Sequence, residues 1–228
     1  MISLLLRTLL GLVALVVFLL ALALYWPAAD WLPRVLPPHV HIDGVSGALH
    51  EGRIERVSSN SFSSGPWQWH WSTPTRIDVQ LGETEDRPWT LQVTGWPGSW
   101  NAVTHGGDAR WWQGVPLFIG AFDGTLQWSG SWRSCETSQG RLQADSTLLF
   151  VPYPLAMGTA TVTSSCSKTP MLNANVRLEN AHELNAQFDL ARWQGRVNGP
   201  VEPSSALGRV MRTAGLLKEG QRQVDLRF

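Results

Sequence analysis

Cysteine is scarce in this chain, with two among 228 residues. A disulfide-scaffold protein needs more, and the absence of a C-x-x-C pair argues against dithiol redox catalysis. An excess of charge of either sign is also missing: 18 Lys and Arg stand against 18 Asp and Glu. That balance argues against a nucleic-acid binder, which usually carries a basic stripe. The composition of a disordered chain is missing too, since 43% of residues are hydrophobic. So are recognisable catalytic patterns. There is no G-x-S-x-G elbow, no P-loop and no G-x-G-x-x-G. His50-Glu51 and His182-Glu183 open like H-E-x-x-H, but Ile54 and Ala186 stand where the second His belongs.

The remaining titratable groups assemble no site. His39 and His41 are two apart, on one face of any strand, and His50 follows. A zinc ion needs three or four such ligands, and solvated histidines near a membrane are the plainer reading. Glu83, Glu85 and Asp86 crowd together, but Arg87 follows them in a polar turn, which reads as a solvated loop. No catalytic residue, metal site or cofactor is assigned, and the chain is read as a non-enzyme.

What is present begins with the N-terminus. From Thr8 to Ala29 no residue is charged. As a helix this stretch spans about 33 Å, the thickness of a bilayer's hydrocarbon core. Arg7 precedes it, and Tyr25, Trp26 and Trp31 follow it at headgroup level. Pro27 and Pro33 end it. Residues 1–29 are therefore read as a single transmembrane anchor, N-terminus cytoplasmic, followed by a Pro-rich connector over 30–38. A cleaved signal peptide is the rival, with Ala21-Leu22-Ala23 as its cleavage pattern. Both readings export residues 30–228.

The exported part reads as strands. Arg53–Val57, Trp67–Trp71, Arg76–Leu81 and Trp89–Val93 alternate apolar and polar residues. Later segments are Gly124–Arg133, Gly140–Phe150, Gly158–Cys166, Leu172–Glu179, Leu184–Leu190, Arg192–Val197 and Gln221–Phe228. Gly, Pro, Asn and Ser punctuate them at all-β spacing. Pro203 and Ser204 start one helix, with Leu207, Val210, Met211 and Leu217 on one stripe. A second short helix is a weaker reading of Asp108–Phe118. The expectation is a mostly β protein: one N-terminal transmembrane helix, then an antiparallel β-rich domain of ten to twelve short strands with one or two short helices.

Tryptophan is abundant, and ten of the 13 lie between Trp67 and Trp132. Trp67, Trp69 and Trp71 share a strand face and read as core. Trp96, Trp100, Trp111 and Trp112 sit among Gly and Pro and are the candidate interface for a partner strand, a lipid or a glycan, because Trp combines large apolar area with a polar handle. Cys135 and Cys166 lie in strand-like segments of an exported, oxidising environment, which favours a disulfide between them; two buried thiols are the alternative.

The stretch Gly44-Val45-Ser46-Gly47-Ala48-Leu49-His50-Glu51-Gly52 resembles the opening of the periplasmic part of the general secretion pathway protein N family of type II secretion. Members read G-x-S-G-T-L-W-x-G shortly after one N-terminal membrane helix. Gly44, Ser46, Gly47, Leu49 and Gly52 match; Ala48 and His50 depart from the pattern. Length, Pro-rich connector, Trp-rich β text, separated Cys pair and late helix are similar as well. The resemblance implies a non-enzymatic scaffold of the type II protein secretion system, single-pass in the bacterial inner membrane with its main domain in the periplasm. It would support assembly or stability of the outer-membrane secretin and the inner-membrane platform. The alternative is a membrane-tethered lipid-binding or lipid-transfer β module, in which a curved sheet lines a groove for acyl chains.

Overall fold

The computed structural model describes residues 2–36, 40–59, 62–83, 87–96, 98–109, 117–131, 134–151, 153–167, 169–192 and 194–227. The protein is mostly β, and all of its sheet pairings are antiparallel. It opens with helix α1 (Ile2–Leu24), in which Leu12, Val13, Val17 and Phe18 are exposed. Among the described residues no helix is long and apolar enough to cross a membrane. The unbroken stretch of α1 with described side chains is only 10–19, so the single span expected over residues 1–29 rests on the sequence alone.

A second helix, α2 (Ala28–Val35), occupies most of the expected connector. Pro27 caps it without a side-chain bond, and Pro33 lies inside it, where it cannot donate to the Ala29 carbonyl. Ala28 is fully buried, which ties this helix to the domain although its sequence reads as a linker.

The short strands β1 (His41–Asp43), β4 (Arg56–Ser59) and β5 (Phe62–Ser64) form a small sheet. The main sheet is an almost unbroken meander. It starts with β2 (Ser46–Gly47), β3 (Glu51–Ile54), β6 (Trp67–Thr73), β7 (Arg76–Leu81), β8 (Trp89–Trp96) and β9 (Ser99–His105). It continues through β11 (Asp123–Ser131), β12 (Ser134–Val151), β13 (Tyr153–Ser167), β14 (Thr169–Leu178), β15 (His182–Asp189), β16 (Gln194–Pro200) and β17 (Gln223–Arg227). Strand β10 (Leu117–Gly120) pairs with the far end of β12.

The strand count exceeds the expected ten to twelve because the alternating Arg53–Val57 run breaks at Glu55, one part entering β3 of the main sheet and the other β4 of the small sheet, and because β2, β5, β9 and β10 form where the sequence suggests no strand. The long strands, by contrast, run through apparent punctuation. Gly140 was expected to open a strand, yet it sits inside β12 with φ of 101°, where its missing Cβ lets the Thr125 carbonyl of β11 approach. Pro154 stands in β13 opposite Phe150, at a position that β14, paired only from Thr159 onward, does not reach.

Alternation along each strand divides the sheet into two chemically distinct faces. In β14, Leu172, Ala174 and Val176 share one face while Asn173, Asn175 and Arg177 share the other. In register across the sheet, Leu142, Val162, Ala174, Ala186, Val197 and Leu226 form one apolar row. The apolar face carries two buried clusters. One centres on Phe122, Leu126, Trp128 and Leu142. The other lies under helix α3 (Ala206–Thr213), where Leu207, Met211 and Leu217 cover Leu184, Val201 and Val224. That helix starts just beyond the expected Pro203–Ser204 signal: Ser205 caps it, its hydroxyl accepting from the Gly208 amide at 3.0 Å.

Cys135 and Cys166 are disulfide-bonded, with a Cα–Cα distance of 5.4 Å. They join β12 to β13 and belong to the first cluster. His182 is buried, and its Nε2 donates to the Met157 carbonyl at 3.1 Å. Burial disfavours the imidazolium and holds the His182 pKa below its ordinary value, although the Met157 bond pulls the other way.

Candidate functional site

Two features on opposite parts of the sheet invite a functional account. The first is the segment from Gly44 to Gly52, which splices the helices to the sheet. The His50 amide donates to the Leu24 carbonyl at 3.2 Å and the Leu49 amide to the Trp26 carbonyl at 3.1 Å. The His50 ring adds a bond from Nδ1 to the Leu24 carbonyl at 3.0 Å and leans on Tyr25, with ring centroids 4.7 Å apart. Ala48 bridges Pro27, and the Ala48 amide donates to the Glu51 carbonyl at 2.7 Å.

The glycines of the segment are needed where they stand. Gly47 has φ of +88°, and a Cβ there would lie 2.5 Å from the Glu51 carbonyl oxygen. At Gly52 the constraint is a close approach, since a Cβ would stand 2.2 Å from Cζ2 of Trp69. Trp69 is fixed in turn by a bond from its Nε1 to the Leu49 carbonyl at 3.0 Å. Ser46 pairs with Arg53 across the β2–β3 hairpin, and Gly44 sits against Glu55. All five matching positions, Gly44, Ser46, Gly47, Leu49 and Gly52, therefore lie within one tight junction.

The second feature is a cleft of about 410 Å³ on the apolar face. Leu81 of β7 with Trp89 and Leu91 of β8 make one wall. Ala174 of β14 with Ala186, Phe188 and Leu190 from the β15 region make the other. Leu126, Trp128, Leu142 and Val162 form its floor. Strands β8 and β15 are six pairings apart, about 29 Å along a flat sheet at ~4.8 Å per strand. Both walls bound one small cleft, so the sheet is curled into a trough. In the described lining, Thr104 spends its hydroxyl on the Thr90 carbonyl at 3.0 Å, and Trp89 and Trp128 add an indole each to the aliphatic side chains.

The outer face is polar. A shallow groove there, of about 770 Å³, is bounded by Glu51, Arg53, Gln68, His70, Asp78 and Gln92, among others. Burial raises the Asp78 pKa, but hydrogen bonds from Ser72, Gln92 and Arg76 outweigh it and hold the carboxyl below its ordinary value. His70 stands 3.5 Å from Glu51. Among the described residues, no three or more His, Cys, Asp or Glu side chains gather as a metal site would require. His41 is exposed on β1, while His39, Glu85 and Asp86 lie outside the described residues.

Of the candidate aromatic interface, Trp100 is placed. It is half-buried on β9, packs against the first cluster, and its Nε1 donates to the Ser131 carbonyl at 2.7 Å. Trp111, Trp112 and the Trp96 side chain lie outside the described residues. Trp67 and Trp69 are half-buried, and Trp67 donates to the Ser64 hydroxyl at 3.0 Å. The cleft could be anticipated as an apolar inner face but not located, because no local pattern encodes how far a sheet curls.

In comparisons with known proteins, no family model, no curated protein and no solved structure matches the chain.

Proposed function

We propose that this chain is a non-enzymatic, inner-membrane-anchored component of the type II protein secretion system. In this reading α1 is the single-pass anchor, with its N-terminus cytoplasmic, and the β domain works in the periplasm. It stabilises the assembly of the outer-membrane secretin with the inner-membrane platform. The observation that carries the reading is the splice between helix and sheet. The G-x-S-G-x-L-x-x-G segment, which resembles the opening of the secretion pathway protein N domain, is the stretch whose amides bind Leu24 and Trp26. The exposed apolar side chains of α1, such as Leu12, Val13 and Phe18, support burial in a bilayer.

The test is deletion in the bacterium that carries the chain, followed by complementation. Loss of exported enzymes from the medium and of assembled secretin from the envelope is expected, with both restored by the full-length chain. Normal secretion and normal secretin in the deletion strain would contradict the proposal.

A further inference from the structure

We propose that the cleft on the inner face of the sheet takes one acyl chain of a glycerophospholipid drawn from the membrane beside α1. The inference goes beyond the secretion reading but rests on its placement of α1 in the membrane. The described cleft lining is almost wholly apolar side chain, with the indoles of Trp89 and Trp128 among it, and the hydroxyl of Thr104 is already committed to the Thr90 carbonyl. A bound peptide would bury its own amides there without partners, at about 1–3 kcal/mol for each group. The sheet cannot supply those partners, because the backbone groups of β8, β9, β11, β13 and β14 are paired with neighbours on both sides. A hydrocarbon chain carries no such groups. The cleft volume of about 410 Å³ also fits one small apolar ligand better than a folded partner.

The source of the chain follows from continuity. One cross-strand row on the inner face runs Gly52, Trp69, Val79, Leu91, Thr104 and Leu126. Its first member belongs to the segment that binds the end of α1, and its last three line the cleft. Neighbours in such a row stand about 4.5–5.5 Å apart. An unbroken strip, apolar from Trp69 to Leu91, thus leads from the helix end to the cleft wall. At the opposite end of the sheet α3 covers the inner face, packing Leu207 and Met211 on Leu184, Val201 and Val224.

The experiment uses the full chain in vesicles of phosphatidylethanolamine and phosphatidylglycerol doped with a phosphatidylethanolamine that carries a diazirine on one acyl chain. After irradiation, adducts are mapped by mass spectrometry. Adducts on cleft residues such as Leu142 and Leu172, in addition to those on α1, are expected. Ala174→Trp fills the cleft and should cut cleft adducts about tenfold, the change that ~1.4 kcal/mol of lost binding produces. Adducts on α1 should stay unchanged. Ala186→Trp is the second variant should the first fail to fold, and if both fail the wild-type map alone decides. Adducts confined to α1, a cleft crosslinked to a second copy instead, or cleft adducts untouched by either folded variant would overturn the proposal. An unlabelled cleft leaves the secretion reading standing, because that reading is tested by secretin assembly.

Discussion

Trp69 lies so close over Gly52 that a single added carbon at Gly52 would stand 2.2 Å from the indole. The contact joins β3 to β6 and, through the Leu49 carbonyl, locks the junction with the helices. Gly52→Ala should therefore cost about 1–3 kcal/mol through overpacking. Equilibrium unfolding of the variant against wild type measures this. A variant as stable as wild type would mean that Trp69 moves aside freely.

Trp100 donates its Nε1–H to the Ser131 carbonyl at 2.7 Å. Trp100→Phe removes that donor, so it should cost about 0.5–1.5 kcal/mol for the bond, on top of the lost packing. The unfolding midpoint at unchanged slope provides the check, and a variant as stable as wild type would count against the bond.

The Cys135–Cys166 bridge closes a long loop within the first cluster, with a sequence separation of 31. On the chain-entropy model its removal costs about 3–4 kcal/mol. The Cys135→Ala, Cys166→Ala double variant should melt well below wild type, and reduction of wild type should bring the two curves together. Two superimposable curves without reductant would show that the bridge contributes nothing.

His182 predicts an acid sensitivity. Burial holds its folded pKa below the ordinary histidine value of about 6.5, so the unfolded chain takes up the proton first. Stability is full above that value and declines as pH falls from about 6.5 toward the folded pKa, by at most ~1.4 kcal/mol per pH unit for one proton. His182→Gln keeps a donor for the Met157 carbonyl and removes the titration. The difference between wild type and variant should shift in favour of the variant between pH 7 and pH 5. A pH-independent difference would contradict this assignment.

Legibility in the sequence tracked the range of the interactions involved. The alternation in Trp67–Trp71 and Arg76–Leu81 is local, and β6 and β7 follow it. The Leu207–Met211 stripe is local too, and α3 lies close to the expected helix, with Ser205 rather than the expected Pro203–Ser204 signal as its cap. The pairing of Cys135 with Cys166 needs strand adjacency, yet the export argument anticipated it. What escaped was set at a distance. Gly140 looks like a boundary but lies within a strand, where the carbonyl of Thr125, 15 residues away in sequence, comes up against it. Helix α2 hides behind Pro33, because burial of Ala28 outweighs the local propensity of a Pro-rich stretch. The cleft depends on the curl of strands far apart in the chain. Trp100 sits among residues that suggest a loop, but β9 carries it into the inner face.

The most direct test of the central claim is in-cell crosslinking of the tagged full-length chain, with recovery from membranes and mass spectrometry of what comes with it. The account predicts the secretin and inner-membrane platform proteins of a type II secretion system, enriched over a control bearing α1 fused to an unrelated domain. Recovery of neither, under conditions that crosslink the secretin to its platform, would contradict it.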